Sequence, residues 1–287
     1  MSNFGAYVLH IAFDNTRRLR RNVYYFRYKD QLFKLIQNNP KKHSDVLLTI
    51  IDAPGGMDEE VAYSFASEFL SALSWEIGSQ VSMRHSGGYG ARAGMSLRSA
   101  QCALYDTPKL ATHRSPFRNF SIDRIAKITR QEQGTALSLF RDAYACNHLY
   151  LSFFLYWQVL ETTGGQGSTI ANQLYSGIGN AQRLDDAVSQ LRLGSRTLGE
   201  YLWDDCRNAI AHIRRDNDRT SIRLDNAADN RRILISTYIV EELARYFIRN
   251  TLGVSEVLHL VRCPGTPYPL YADGDYVSSH PCRMAYA

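Results

Sequence analysis

Between Leu149 and Leu160 the chain reads LYLSFFLYWQVL, a run almost without polar side chains. On a helix such a run is apolar on most sides, which places it at the centre of a bundle of other helices. It is too short for a bilayer, which needs about 20 residues of helix. The periodicity around it predicts one long helix over 135–162, stopped by Gly164, Gly165 and Gly167.

Further helical pattern follows at 170–175, 181–193 and 196–214, then a polar turn, a short strand-like SIRLD, and a last helix over 229–250. That helix is expected to be capped by Asp229 and ended by Gly253. The front of the chain differs. Segments 4–13 (FGAYVLHIAF) and 45–52 (DVLLTIID) are rich in β-branched and aromatic residues between turn formers and read as strands, whereas 23–37 fits strand or helix equally. After Pro54-Gly55-Gly56, residues 57–78 place Val61, Phe65, Phe69, Ala72 and Trp75 at helical spacing, and a strand follows at 80–84. The expected fold is α+β: a mixed N-terminal α/β domain over 1–130 and a C-terminal helical bundle over 131–260. An irregular tail over 261–287 contains several prolines.

Charge is distributed unevenly. The 287 residues carry a net +5, but residues 84–130 alone hold nine basic side chains against Asp106 and Asp123, a local +7, while 131–287 total −2. A concentrated basic segment suits a phosphate-bearing partner or a solvated face. Arg84, Arg92, Arg98, Arg114 and Arg118 are its candidate RNA or phosphate contacts. The N-terminal segment puts its apolar run before its basic cluster, unlike a secretory signal, and the five cysteines have no paired spacing. A cytoplasmic protein with no membrane span is expected.

Few motifs carry chemistry. Gly88-Tyr89-Gly90-Ala91-Arg92-Ala93 fits G-x-G-x-x-A, but no helix opens at its end and no acidic residue follows at the ribose-binding distance, so it reads as a flexible basic loop. His280, Cys282 and Cys263 are too few for a closed tetrahedral site, so neither a metal nor a cofactor is expected. Within YLWDDCRNAIAHIRR, Arg207, Asn208 and His212 place a phosphate-gripping guanidinium, a polar amide and a titratable imidazole close together. Such a set can cleave RNA without metal: the imidazole moves a proton at the ribose 2′-hydroxyl or the leaving oxygen, and the guanidinium holds the phosphate. On an ideal helix Arg207 and His212 are about 140° apart, so one straight helix does not aim both at one phosphate.

This segment resembles the signature helix of HEPN domains, and the aromatic helix ending Tyr156-Trp157-Gln158-Val159-Leu160-Glu161 resembles the helix preceding it in the Apea-like branch. The resemblance covers 135–252. It implies Arg207 as phosphate binder, Asn208 as orienting residue and His212 as acid/base, with two motif helices meeting across a homodimer two-fold. The whole layout, with FLSALSWE at 69–76 and the glycine-rich stretch after it, is similar to the methylamine utilisation MauJ family, which implies an accessory role without established chemistry. Two functions are compatible with these resemblances: an accessory protein that binds a protein partner, a small ligand or RNA, or a metal-independent endoribonuclease. Asp204 and Asp205 beside the motif oppose RNA and favour the first.

Overall fold

The computed structural model describes residues 6–15, 17–19, 23–29, 31–37, 45–51, 58–91, 115–120, 122, 124–179, 181–211, 222 and 226–262. They form two compact units: one runs to Ile125 and resumes at Val257, the other is Ala126–Glu256.

The first unit contains strands β1 (Ala6–Asn15), β2 (Arg17–Leu19), β3 (Val23–Tyr28), β4 (Gln31–Ile36) and β5 (Asp45–Ile51), then helix α1 (Glu59–Ile77) and strand β6 (Val81–Ala91). Strands β7 (Ser115–Phe120), β8 (Arg124–Ala126), β9 (Val257–His259) and β10 (Val261–Arg262) complete it. Six of them form one antiparallel sheet in the order β10-β3-β4-β5-β1-β6, while β2 pairs with β7 and β8 with β9. The ambiguous stretch 23–37 is thus a hairpin. Lys29 at its turn has φ +49°, rare for a non-glycine residue, and its ammonium lies 2.9 Å from Glu68 Oε2 on α1.

Alternation produces the core. Leu9, Ile11 and Phe13 are buried, as are Tyr24, Phe26 and Tyr28, and register carries one row of the sheet from Phe26 through Phe33 and Thr49 to Leu9. Phe69 of α1 lies over that row, its ring 4.6 Å from that of Phe26. Asp58 caps α1 by accepting from the Glu60 N–H, and Gly78 closes it at φ +51°. Of the expected stripe Phe69 and Ala72 are buried, Phe65 and Trp75 partly so, and Val61 is 42% exposed; Ala62, Ala66, Leu70, Leu73 and Ile77 complete the buried face. The small Ala62 meets Leu9, so the helix approaches the sheet along its alanines.

As far as Ala91 the glycine-rich stretch is strand and not loop; Arg92 and Ala93 lie outside the described residues. Gly87, Gly88 and Gly90 lie within β6, opposite His10, Leu9 and Tyr7 of β1. Pairing along the whole of β1 satisfies the backbone there, and glycine's poor strand propensity yields to it.

The second unit is helical: α2 (Gln131–Ala145), α3 (Leu149–Glu161), α4 (Gly167–Ile178), α5 (Gln182–Ser189), α6 (Leu198–Tyr201), a π-helical segment (Leu202–Arg207), α7 (Asn208–Ala211), α8 (Ala227–Tyr246) and a second π-helical segment (Phe247–Thr251). The expected single helix over 135–162 is two. His148 breaks it, its ring nitrogen accepting from the Leu151 N–H at 3.5 Å, while the Ser152 hydroxyl donates to the Ala143 carbonyl at 2.9 Å across the break. Hydrophobic periodicity runs on through such a break, because side-chain caps do not alter it. The cap of α8 is Asn226, which accepts from the N–H groups of Ala228 and Asp229, so the helix starts earlier than expected and Asp229 lies in its first turn. Phe153, Tyr156, Trp157, Val159 and Leu160 of α3 are buried, but Leu151 is 49% exposed. Of SIRLD only Ile222 is among the described residues. No helix among the described residues is long and apolar enough to cross a membrane.

Candidate functional site at the motif helix

The motif helix is built against α3, α4 and α8. Thr197 and Glu200 form a capping box, with the Glu200 carboxylate accepting from the Thr197 N–H at 2.8 Å; that bond holds the carboxylate below its ordinary range. Gly199 then passes so close to α4 that a Cβ there would stand 2.0 Å from the Ser168 carbonyl oxygen, and its N–H donates to Asn172 Oδ1 at 2.7 Å. Only glycine fits this approach.

Beyond Tyr201 the backbone widens into the π-helical segment, and the Asn208 N–H donates back to the Trp203 carbonyl. The extra residue per turn rotates the downstream residues relative to an α-helix, and such bulges collect at functional sites. Arg207 closes the segment. Its guanidinium carbon lies 4.7 Å from the Trp203 ring centre and 5.6 Å from that of Phe154 on α3. Nη1 donates to Asn208 Oδ1 at 3.3 Å, while the buried Nε–H has no acceptor among the described residues. Asn208 is buried, and its amide braces Arg207.

The neighbouring groups are committed to the fold. Arg196 Nη2 lies 2.7 Å from Asp205 Oδ2, and this bond raises the arginine further above its ordinary value. The Arg196 guanidinium also stacks on Tyr201, 5.1 Å from the ring centre. Asp205 is therefore compensated and presents less repulsion to an anion than sequence position suggests. Cys206 is fully buried, its thiol 3.3 Å from the Ser236 hydroxyl of α8, and burial pushes it up to about 12. It is an inert packing group.

The structure thus brings Arg207 and Asn208 together, whereas His212 lies outside the described residues, as do Arg92, Arg98 and Arg114. Arg84 lies in β6 and Arg118 in β7, with their side chains outside the description. Three other cations of the basic segment have partners within the chain: Arg124 pairs with Glu76, Lys127 with Glu256, and Arg130 donates to the Leu252 carbonyl. Sequence reasoning missed Trp203 and Phe154. Trp203 stands four residues before Arg207 and was recoverable from that spacing; Phe154 was not, because its contact crosses between helices. No group of three or more His, Cys, Asp or Glu among the described residues is placed to hold a metal ion.

These features define an α+β protein whose helical unit carries an arginine held on aromatic rings beside a π-turn. Residues 136–249, nearly all of that unit and well under half of the chain, match the family model described as methylamine utilization protein MauJ. No curated protein and no solved structure matches the chain.

Proposed function

We propose that the protein is an accessory binding protein of the MauJ type, HEPN-like in its helical unit, whose second unit holds Arg207 ready for an anionic partner without turning it over. The observation that carries this reading is the Arg207 platform: rings fix the guanidinium plane, Asn208 takes one donor, and the side chain as a whole is only half-buried. A fixed planar fork binds carboxylate or phosphate with little loss of side-chain entropy. By the description of its family the role belongs to methylamine utilisation. RNA is one anionic partner within this reading, with Arg84, Arg92, Arg98, Arg114 and Arg118 as further phosphate contacts. Titrating labelled RNA across a salt series tests that part: affinity falls steeply with salt if these cations neutralise phosphates, and a flat response removes it.

The alternative reading is a metal-independent endoribonuclease, favoured by the π-turn that ends at Arg207 and re-aims it relative to an α-helix. It assigns phosphate binding to Arg207, orientation to Asn208 and proton transfer to His212, with two motif helices meeting in a homodimer. Incubation with total RNA in EDTA decides between the readings. The accessory role predicts no cleavage; cleavage abolished by His212→Ala establishes the enzyme instead.

A further inference from the structure

A second surface lies on the other side of α8. Ser236, which contacts Cys206, marks the face turned to the motif segment; Leu234 is about 160° round from it on an ideal helix. Leu234 is 59% exposed and Tyr238, one turn on, 36%. They rise beside an open hollow of about 490 Å³ between α5 and α8, lined also by Arg183, Asp186, Ala187 and Gln190. A projecting apolar knob next to a hollow is the shape that a two-fold contact requires, since each copy supplies what the other receives.

Charge points to the same occupant. Arg183 and Asp186 are exposed, three residues apart on one face of α5, and neither forms an ion pair among the described residues. Among the described residues Asp186 Oδ1 accepts only from Gln182, at 3.0 Å. The lining carries one cation beside one anion, so the hollow itself has no net charge to draw nucleic acid. It does match a copy of itself turned through a two-fold, which sets Arg183 against Asp186 of the partner subunit and Asp186 against the partner's Arg183.

We infer that a second copy of this chain docks on the α5–α8 face, with Leu234 of each copy entering the hollow of the other. This pairing leaves the Arg207 face free and is independent of the function proposed above. Sedimentation velocity over a dilution series tests it. A dimer is expected for the natural chain, weakened at least about tenfold by Leu234→Glu. Arg183→Asp and Asp186→Arg are each expected to be monomeric alone. Mixed in equal amounts they are expected to pair, because the heterodimer restores both opposite-charge contacts. A natural chain that stays monomeric overturns the inference; so does a dimer unmoved by Leu234→Glu, which would put the contact elsewhere, and so does a mixture that fails to associate. Circular dichroism melts confirm that each exposed-site variant is folded; if Leu234→Glu is not, Leu234→Ala takes its place with a smaller expected loss.

Discussion

Both units stack rings, Phe153 on Trp157 in the second as Phe26 on Phe69 in the first, but the cations set over those rings differ: Lys29 over Phe65 and Lys34 over Tyr25 in the first, arginines in the second. In the first, Phe26, Phe33 and Phe69 stack on one another, with Phe26 and Phe69 ring centres 4.6 Å apart, and glue a helix to a sheet. In the second, rings carry arginines: Arg207 on Trp203 and Phe154, Arg196 on Tyr201, and Arg245 on Phe140 at 4.8 Å. Both π-helical segments also belong to the second unit. The difference changes how the composition is read. An arginine-rich chain suggests a cationic surface, yet in the helical unit these guanidinium groups are structural members, flat enough to pack on rings while still donating from their edges. Functional potential is then a matter of which guanidinium still reaches solvent, and Arg207 is only half-buried.

The comparison is tested most severely by removing the central ring of each unit. Phe69→Ala and Trp157→Ala are each expected to cost about 3–5 kcal/mol. Hydrogen exchange should rise in β3 and β4 for the first and in α3 and α4 for the second; the reverse pattern would break the division. A pair of glycines sharpens it next. Gly199→Ala forces Cβ against the Ser168 carbonyl and is expected to cost about 2–3 kcal/mol in urea unfolding, where Gly78→Ala, with open space around it, costs only about 1 kcal/mol from its positive φ. Equal losses would mean that the motif helix is not pressed on α4.

Cys206 supplies a smaller, pH-dependent effect. Its thiol is raised from 9.0 to about 12, so the folded chain keeps a proton that the unfolded chain loses. That stability is fully present below about pH 9, the value in the unfolded chain, and is lost as pH rises towards about 12. Cys206→Ala should therefore flatten the alkaline decline in unfolding free energy measured between those limits. The smallest change expected is Arg207→Lys, about 1 kcal/mol, since an ammonium cannot stack flat on Trp203 while donating to Asn208. A neutral result would show that the rings do not hold the guanidinium.

Much of the fold is legible in the order of residues, and unevenly. β-branched and aromatic content between turn formers identifies β1 and β5, and three- and four-residue spacing identifies α1, because burial on one helix face imposes its own repeat on the chain. The same spacing gets Phe69 and Ala72 of α1 right but takes Val61 for Ala62, since alanines that allow close approach look no different from alanines that do not. Of the site, Arg207 and Asn208 are recognisable as a pair by adjacency, but not that Asn208 is buried as a brace or that Asp205 is neutralised by Arg196. Those depend on chain segments that meet only on folding.

Sequence alone determined the class of the molecule, an α+β chain with a helical C-terminal part, because the solvent sorts polar from apolar residues at the repeat of each secondary structure. Tertiary structure decided where that regularity yields: the glycines that became a strand because β1 lay beside them, the helix broken at His148, and the π-turn that carries Arg207 onto two rings. Local propensity differs by only about 1 kcal/mol per residue, so a partner strand, a cap or a packed ring is enough to overrule it.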